Sequence, residues 1–245
     1  MTLSFKTVFI ALFLLLSRYH SYASDNNYTL LENKASRFVQ YKEWASASAM
    51  YELMIDQQPK VIDNYVRAIV VAGMQGNTEA QMSLMERSQR NLVPLDSIFS
   101  GVKTESFALG QSKLYEHFLL LVKERQPWLK RNLEKQLLNY YIFRRDAKQI
   151  IKYSKIMLSG AKTNSQFLSC LALGYMLSGE YAEAVDVYKR IVDLYPDNVD
   201  ALLELGNYYL MQGKDAQARI YLERAYKINP TPYVAKLLGL DRHHN

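Results

Sequence analysis

The sequence has little glycine, proline and cysteine for its length. Its 245 residues include 10 glycines, 6 prolines and 1 cysteine. Few glycines and prolines argue against a strand-rich fold with many tight turns and favour long helices. The hydrophobic share of 49% excludes a disordered chain and is normal for a protein that packs a core.

The single cysteine, Cys170, excludes a disulfide within the chain. It has no histidine near it in the sequence and lies beside an apolar stripe of a predicted helix. We therefore interpret Cys170 as an inert packing residue and not as a nucleophile.

Recognisable catalytic patterns are also absent. The sequence has no glycine-rich phosphate loop, no GxSxG elbow and no HExxH pair. The four histidines are His20, His117, His243 and His244. They form no cluster with cysteine or acidic residues of the kind that a metal site needs. We predict no catalytic residues, no cofactor and no metal, and therefore no enzyme activity.

The N-terminus has the pattern of a secretory signal peptide. Lys6 precedes an apolar run at 7–16, and small residues fit a cleavage site after Ala23. The apolar run is too short to span a bilayer as a helix. We expect residues 1–23 to be removed and the protein to be exported, to the periplasm because no disulfide staples it. Arg18 leaves an uncleaved membrane anchor open, and secretion is a further alternative.

A 34-residue pattern occurs twice between residues 165 and 233. Its first copy is Leu171, Ala172, Tyr175, Gly179, Tyr181, Ala184, Tyr188 and Pro196, and its second is Leu205, Gly206, Tyr209, Gly213, Asp215, Ala218, Leu222 and Pro230. Ala172 and Gly206 are small where two helices would approach most closely. Gly179 and Gly213 are placed to end the first helix of each copy in a left-handed conformation.

This pattern resembles the tetratricopeptide repeat, a helix–turn–helix unit of about 34 residues. The resemblance implies an all-α fold, a right-handed α-solenoid of such repeats with a C-terminal capping helix. It also implies a scaffold that binds other proteins and carries no chemistry of its own.

The prolines extend the period backwards. Prolines 59, 94, 127, 196 and 230 are spaced 35, 33, 69 and 34 residues apart, and Lys42 stands where a glycine is usual. We expect an N-terminal repeat pair at 24–94, a degenerate repeat or helical connector at 95–130, a C-terminal array at 131–231, and a capping helix and tail at 232–245. Two interpretations remain open: six stacked repeats, or two arrays joined by a connector that is not a repeat.

The resemblance places a partner groove on the first helix of each repeat. By their offset from the packing stripe, its residues are Lys135, Asn139, Phe143, Ser169, Leu173, Met176, Leu203, Asn207 and Leu210. Such a concave surface suits an extended or helical peptide. The alternative is that Leu173, Met176 and Leu210 only pack against neighbouring helices.

One ligand class of such grooves is excluded by charge. Lys135 and Asn139 match the opening of the clamp by which some family members hold a C-terminal carboxylate. Cys170 then replaces an asparagine, and Asp200 and Glu204 stand where that clamp needs two cations. A free carboxylate would be repelled there.

Positive charge is concentrated in the middle of the chain. The formal net charge is +6, and the stretch 121–155 is the most basic. Its candidate contact residues, which we call the basic patch, are Lys130, Arg131, Arg144, Arg145 and Lys148. This is either a solvated helix face or a dock for an acidic partner, an anionic glycan or membrane headgroups. We expect no nucleic acid, because the protein is expected to be exported and the patch is expected to lack interleaved, exposed aromatic residues.

These observations lead to one hypothesis and one alternative. The first is an exported, non-catalytic adaptor of the cell envelope that binds a protein or peptide in its groove. The alternative is an accessory helical subunit of an envelope enzyme or glycan-handling complex, which contacts anionic polymer or lipid through 121–155. The sequence does not predict the oligomeric state.

Overall fold

The structure, a computed structural model, describes residues 27–240. The expected signal segment at 1–23, His243 and His244 therefore lie outside the described residues. Within 27–240 every regular element is helical. The elements are α1 (27–40), α2 (Trp44–Gln57), α3 (Ile62–Met74), α4 (Thr78–Arg90), α5 (Leu95–Ala108), α6 (Ser112–Arg125), a 3-10 turn (Pro127–Leu129), α7 (Lys130–Arg144), α8 (Ala147–Ser159), α9 (Ser165–Ser178), α10 (Tyr181–Leu194), α11 (Val199–Met211), α12 (Asp215–Ile228) and α13 (Pro232–Leu237).

The first twelve helices form six consecutive hairpins, and the turn inside each hairpin has one residue with left-handed backbone. These residues are Lys42, Gly76, Gly110, Arg145, Gly179 and Gly213, with φ between +53° and +81°. They follow one another at intervals of 34, 34, 35, 34 and 34 residues. The expected all-α fold of helix–turn–helix units is confirmed, and Lys42 does occupy a glycine-type position.

Each of these turns is closed by the same two backbone hydrogen bonds. In the last hairpin, the Gly213 amide donates to the Leu210 carbonyl at 3.0 Å, and the Lys214 amide donates to the Tyr209 carbonyl at 2.9 Å. Corresponding bonds close the other five turns. They satisfy carbonyls that the end of a helix would otherwise leave without partners.

The chain forms two compact units, which meet in sequence between Arg125 and Gln126. In unit 1, α3 packs against α2, α4 and α5. Residues 95–125 are a hairpin of the same form as the others, and α5 approaches α3 closely. A Cβ added to Gly101 would lie 2.4 Å from Cγ2 of Val66.

In unit 2, each helix from α7 to α13 packs against the next one along the chain. Its core includes Leu168, Ile191 and Leu202, which are fully buried. The expected close approach is present at Gly206, and Ala172 lies in the core as expected. Ala172 is fully buried, and a Cβ on Gly206 would lie 2.5 Å from Cδ2 of Leu222. Helix α13 packs on α12 and caps the end of this unit.

Two arginines join successive hairpins of unit 2 in the same way. Arg190 donates to the Lys162 carbonyl at 2.6 Å, and Arg224 donates to the Pro196 carbonyl at 3.1 Å. Each arginine reaches 28 residues back, to the loop that enters its own hairpin. The repeat therefore includes a charged link between second helix and loop as well as the apolar stripe.

No helix within 27–240 combines the length and the apolar character that crossing a membrane requires.

The buried alanine of α9 gives a stability prediction. Ala172→Leu should lower the free energy of unfolding by about 1–3 kcal/mol, because three added carbon atoms overpack a fully buried position. The measurement is the urea midpoint, followed by helical circular dichroism. Ala182→Leu, on the exposed side of α10, is the matched control and should change stability by less than about 0.5 kcal/mol. Equal effects of the two substitutions would contradict a close approach at Ala172.

Candidate partner-binding site

The proposed groove residues lie on α7, α9 and α11, the first helices of the three hairpins in unit 2. Lys135, Asn139, Phe143 and Ser169 are exposed, whereas Leu173, Met176, Leu203, Asn207 and Leu210 are half-buried. Met176 and Asn207 line a common pocket between α9, α10 and α11. Leu203 and Leu210 pack against the buried core of unit 2, and Leu210 also lines a second pocket with residues of α12 and α13.

The pocket between α9, α10 and α11, which we call the Glu204 pocket, has a volume of about 170 Å³. Its lining side chains are Met176, Tyr181, Val185, Tyr188, Glu204, Asn207, Tyr208, Met211 and Gln212. Val185 is buried, while Tyr181 and Met211 are 49% and 80% exposed. The pocket thus has an apolar floor, and large apolar side chains stand at its mouth in contact with solvent.

The helix turns explain why these side chains meet. Met176 lies at the end of α9, three residues before the left-handed Gly179, and Tyr181 begins α10 directly after that turn. Because the turn is so short, the end of α9 and the start of α10 face the same neighbour. Tyr208 and Met211 come from the end of α11, which packs against α10.

The acid in the pocket is in an unfavourable environment. Burial raises the pKa of the Glu204 carboxyl above its ordinary value, and the like charge of Asp200 raises it further. Burial, with smaller effects of Glu204 and Asp200, raises the pKa of Tyr188 to about 12. The Tyr188 hydroxyl therefore remains protonated at neutral pH, while the Glu204 carboxylate is poorly compensated.

The remaining walls are held in place by other tyrosines. The ring of Tyr208 meets Tyr209 edge-on with centroids 5.5 Å apart, and Tyr209 stacks on Tyr221 at 5.7 Å. The Tyr233 hydroxyl donates to Oδ1 of Asn207 at 3.4 Å. A wall fixed in this way loses little side-chain entropy when a ligand binds.

Part of the basic patch surrounds the turn between α7 and α8. Arg144, Arg145 and Lys148 are exposed there, beside Phe143, which is 64% exposed. None of these three cations takes part in an ion pair within the described residues. Lys130 is also exposed. Trp128, two residues before Lys130, is 72% exposed, so the expectation that this stretch lacks exposed aromatic residues is wrong.

Arg131 has a structural contact of its own. Its guanidinium donates to the Met157 carbonyl at 3.2 Å, and it fills the space beside Gly160. Arg131 therefore secures the end of α8 and is less free than the other basic residues to meet a ligand.

Sequence reasoning missed the pocket residues of the second helix. In the sequence, Tyr181 and Tyr188 are recognised only as positions of the 34-residue pattern. The rule for groove residues applies to the first helix of each hairpin, and these two tyrosines lie on a second helix. Two features of the sequence point to the pocket: the large number of tyrosines, 19 in all, and the acidic residue Glu204 among them.

Cys170 is half-buried, and burial raises the pKa of its thiol. A thiol with a raised pKa is a weaker nucleophile at neutral pH. Within 27–240 the structure has no group of three or more histidine, cysteine or acidic residues placed to hold a metal ion.

Comparisons with known proteins agree with this architecture. Residues 175–240 match a family model described as tetratricopeptide repeat. A stretch of 92 residues is 30% identical to a cattle (Bos taurus) protein named BBSome complex member BBS4, covering 37% of this chain and 18% of that protein. The match thus spans less than a fifth of that curated relative.

A solved structure of similar fold is the C-terminal part of a TPR repeat-containing protein from Cytophaga hutchinsonii. The similarity has a TM-score of 0.50 at 15% sequence identity, and it covers 86% of this chain and 89% of that one. At this identity the likeness concerns the fold alone.

The raised pKa of Glu204 gives a pH-dependent prediction. A carboxyl whose pKa is higher in the folded than in the unfolded protein destabilises the fold once it is ionised, and has no effect below its unfolded pKa. Glu204→Gln should therefore raise the melting temperature at pH 7, and this gain should disappear toward pH 4. Thermal unfolding of both proteins across this pH range is the measurement.

Glu183→Gln is the control for this prediction. Glu183 is exposed in the first turn of α10, where a carboxylate interacts favourably with the helix dipole. Its removal should not raise the melting temperature at pH 7. A melting temperature that Glu204→Gln leaves unchanged or lowers at pH 7 would contradict the environment described for Glu204.

Proposed function

We propose that this chain, whose residues 175–240 match the tetratricopeptide repeat, is a non-catalytic scaffold of the cell envelope that holds a protein or peptide partner on unit 2. Repeats of this family generally mediate protein–protein interactions and are typically not catalytic. The envelope location rests on the signal-like pattern at 1–23, which lies outside the described residues.

The observation that supports binding on unit 2 is the exposure of large apolar side chains around the Glu204 pocket. Met211 and Tyr181 stand at its mouth, and Met176 and Tyr208 line it. Contiguous apolar surface on a folded chain commonly marks a binding site. An amphipathic peptide would bury these side chains, and polar atoms at the rim, such as the Asn207 amide, would fix its register.

The basic patch supports a second candidate function, contact with an anionic polymer or lipid as an accessory envelope subunit. Arg144, Arg145 and Lys148 are exposed and without ion pairs in the described chain. Cations in this state attract polyanions without first breaking an internal salt bridge.

Photo-crosslinking distinguishes the two candidates. With p-benzoylphenylalanine at position 211, irradiation of intact cells should give a discrete adduct with one partner protein, because position 211 stands at the pocket mouth. The same probe at position 220, an exposed apolar position on α12, should not give this adduct. Met176→Glu should reduce the yield by at least about tenfold, since it buries a charge in the pocket.

Two other results would speak against binding in the pocket. Identical adducts at 211 and 220, or no adduct at 211, would contradict it. If the adduct survives Met176→Glu but disappears in the double variant R144E/R145E, the basic patch is the contact surface instead.

Export has its own test. If residues 1–23 are a cleaved signal peptide, N-terminal sequencing of the mature protein should start at Ser24, and the protein should be found in the envelope fraction. A mature chain that keeps residues 1–23 at the membrane would favour the anchor alternative. A chain that keeps them in the cytosol would contradict export.

A further inference from the structure

The Glu204 pocket contains a carboxylate without a counter-ion. Burial and the like charge of Asp200 both act against ionisation of Glu204, and no ion pair within residues 27–240 includes Glu204. Among the lining side chains, Glu204 is the one carboxylic acid, and none is a lysine or an arginine. Lys189 follows Tyr188 in the sequence, but its ammonium lies 3.6 Å from Asp186 and interacts with Tyr209.

The other walls of the pocket also favour a cation. Tyr181, Tyr188 and Tyr208 contribute three aromatic rings, and the face of an aromatic ring attracts a positive charge. The same unit uses this contact internally. The Lys152 ammonium lies 5.5 Å from the centre of the Tyr153 ring, and the Lys155 ammonium lies 5.4 Å from that of Tyr175.

The shape of the pocket suits a long side chain with an apolar stem. Its 170 Å³ equals the volume of roughly six water molecules. Met176 and Met211 are flexible and polarisable, and such side chains adapt to an alkyl stem. Lysine and arginine have the required form, because their stems pack on apolar surface while the charged end remains hydrogen-bonded.

We propose that the Glu204 pocket binds a lysine or arginine side chain of the partner, with the stem between Met176 and Met211 and the charge at Glu204. This rests on the proposed scaffold function and names the partner chemistry that the site selects. The bound cation stabilises the ionised carboxylate and so offsets the penalty that burial and Asp200 impose. A partner segment with a basic residue among apolar neighbours is accepted, and one with an acid at that place is rejected.

Small probes test the pocket without knowledge of the partner. The protein is labelled with ¹³C in its methionine methyl groups, and n-butylammonium chloride or n-butylguanidinium chloride is added. The methyl signals of Met176 and Met211 should shift in a saturable way, whereas those of Met82 and Met85 in unit 1 should not. The neutral probe 1-butanol, with the same number of heavy atoms as n-butylammonium, should bind at least about tenfold more weakly.

Variants identify the source of this selectivity. Glu204→Gln should abolish the preference for the cation over 1-butanol. The methyl signals of the methionines outside the pocket should keep their positions in this variant, which shows that the fold is intact. Glu183→Gln should keep the preference. Equal affinity for the cation and the alcohol in the unmodified protein, or no shift at Met176 and Met211, would overturn the proposal.

The crosslinking experiment separates this proposal from the scaffold function. If the adduct at position 211 forms but Glu204→Gln leaves its yield unchanged, the scaffold function remains and the cation pocket is wrong. If the cation binds selectively but no adduct forms at 211, the cation selectivity of the pocket remains and the proposed binding of a partner protein there is wrong.

Discussion

The architecture depends on one backbone constraint, the left-handed residue between the two helices of each hairpin. It reverses the chain within two or three residues, and its two hydrogen bonds satisfy the last carbonyls of the first helix. A longer turn would separate the helices and lose the register of their apolar stripes. The recurrence of this residue at 42, 76, 110, 145, 179 and 213 makes the interval between turns, and therefore the length of the helices, nearly constant.

The small residues and the candidate site both follow from these short turns. Helices held so closely need a position without bulk, which Ala172 and Gly206 supply. Large side chains at the ends of α9 and α11 line the Glu204 pocket together with Tyr181 and Tyr188 of α10. The same closeness that packs the core thus creates a surface on which apolar and acidic groups are juxtaposed.

The sequence predicted the helices, the turns and the close contacts because each leaves a local signature: a stripe, a glycine or a small residue. The period even identified Lys42 as a turn residue although it is not glycine. The pocket was only partly predicted, since Met176 and Asn207 follow from first-helix spacing but Tyr181 and Tyr188 belong to the next helix. Whether Leu203 and Leu210 face a groove or a core depends on how close the neighbouring helix lies, and a sequence pattern does not contain the distance between two helices. The link from Arg190 to the Lys162 carbonyl was missed for the same reason, because it joins residues 28 positions apart.

The turn at Arg145 puts two demands on a single side chain. The left-handed backbone conformation costs a residue other than glycine roughly 1–2 kcal/mol. Four of the six turns have glycine at this position, whereas this turn has an exposed arginine. Glycine there would relieve the backbone and remove a cation, whereas lysine would keep both the strain and the charge. Thermostability and surface potential are therefore opposed at this position, and an engineer of this protein has to choose between them.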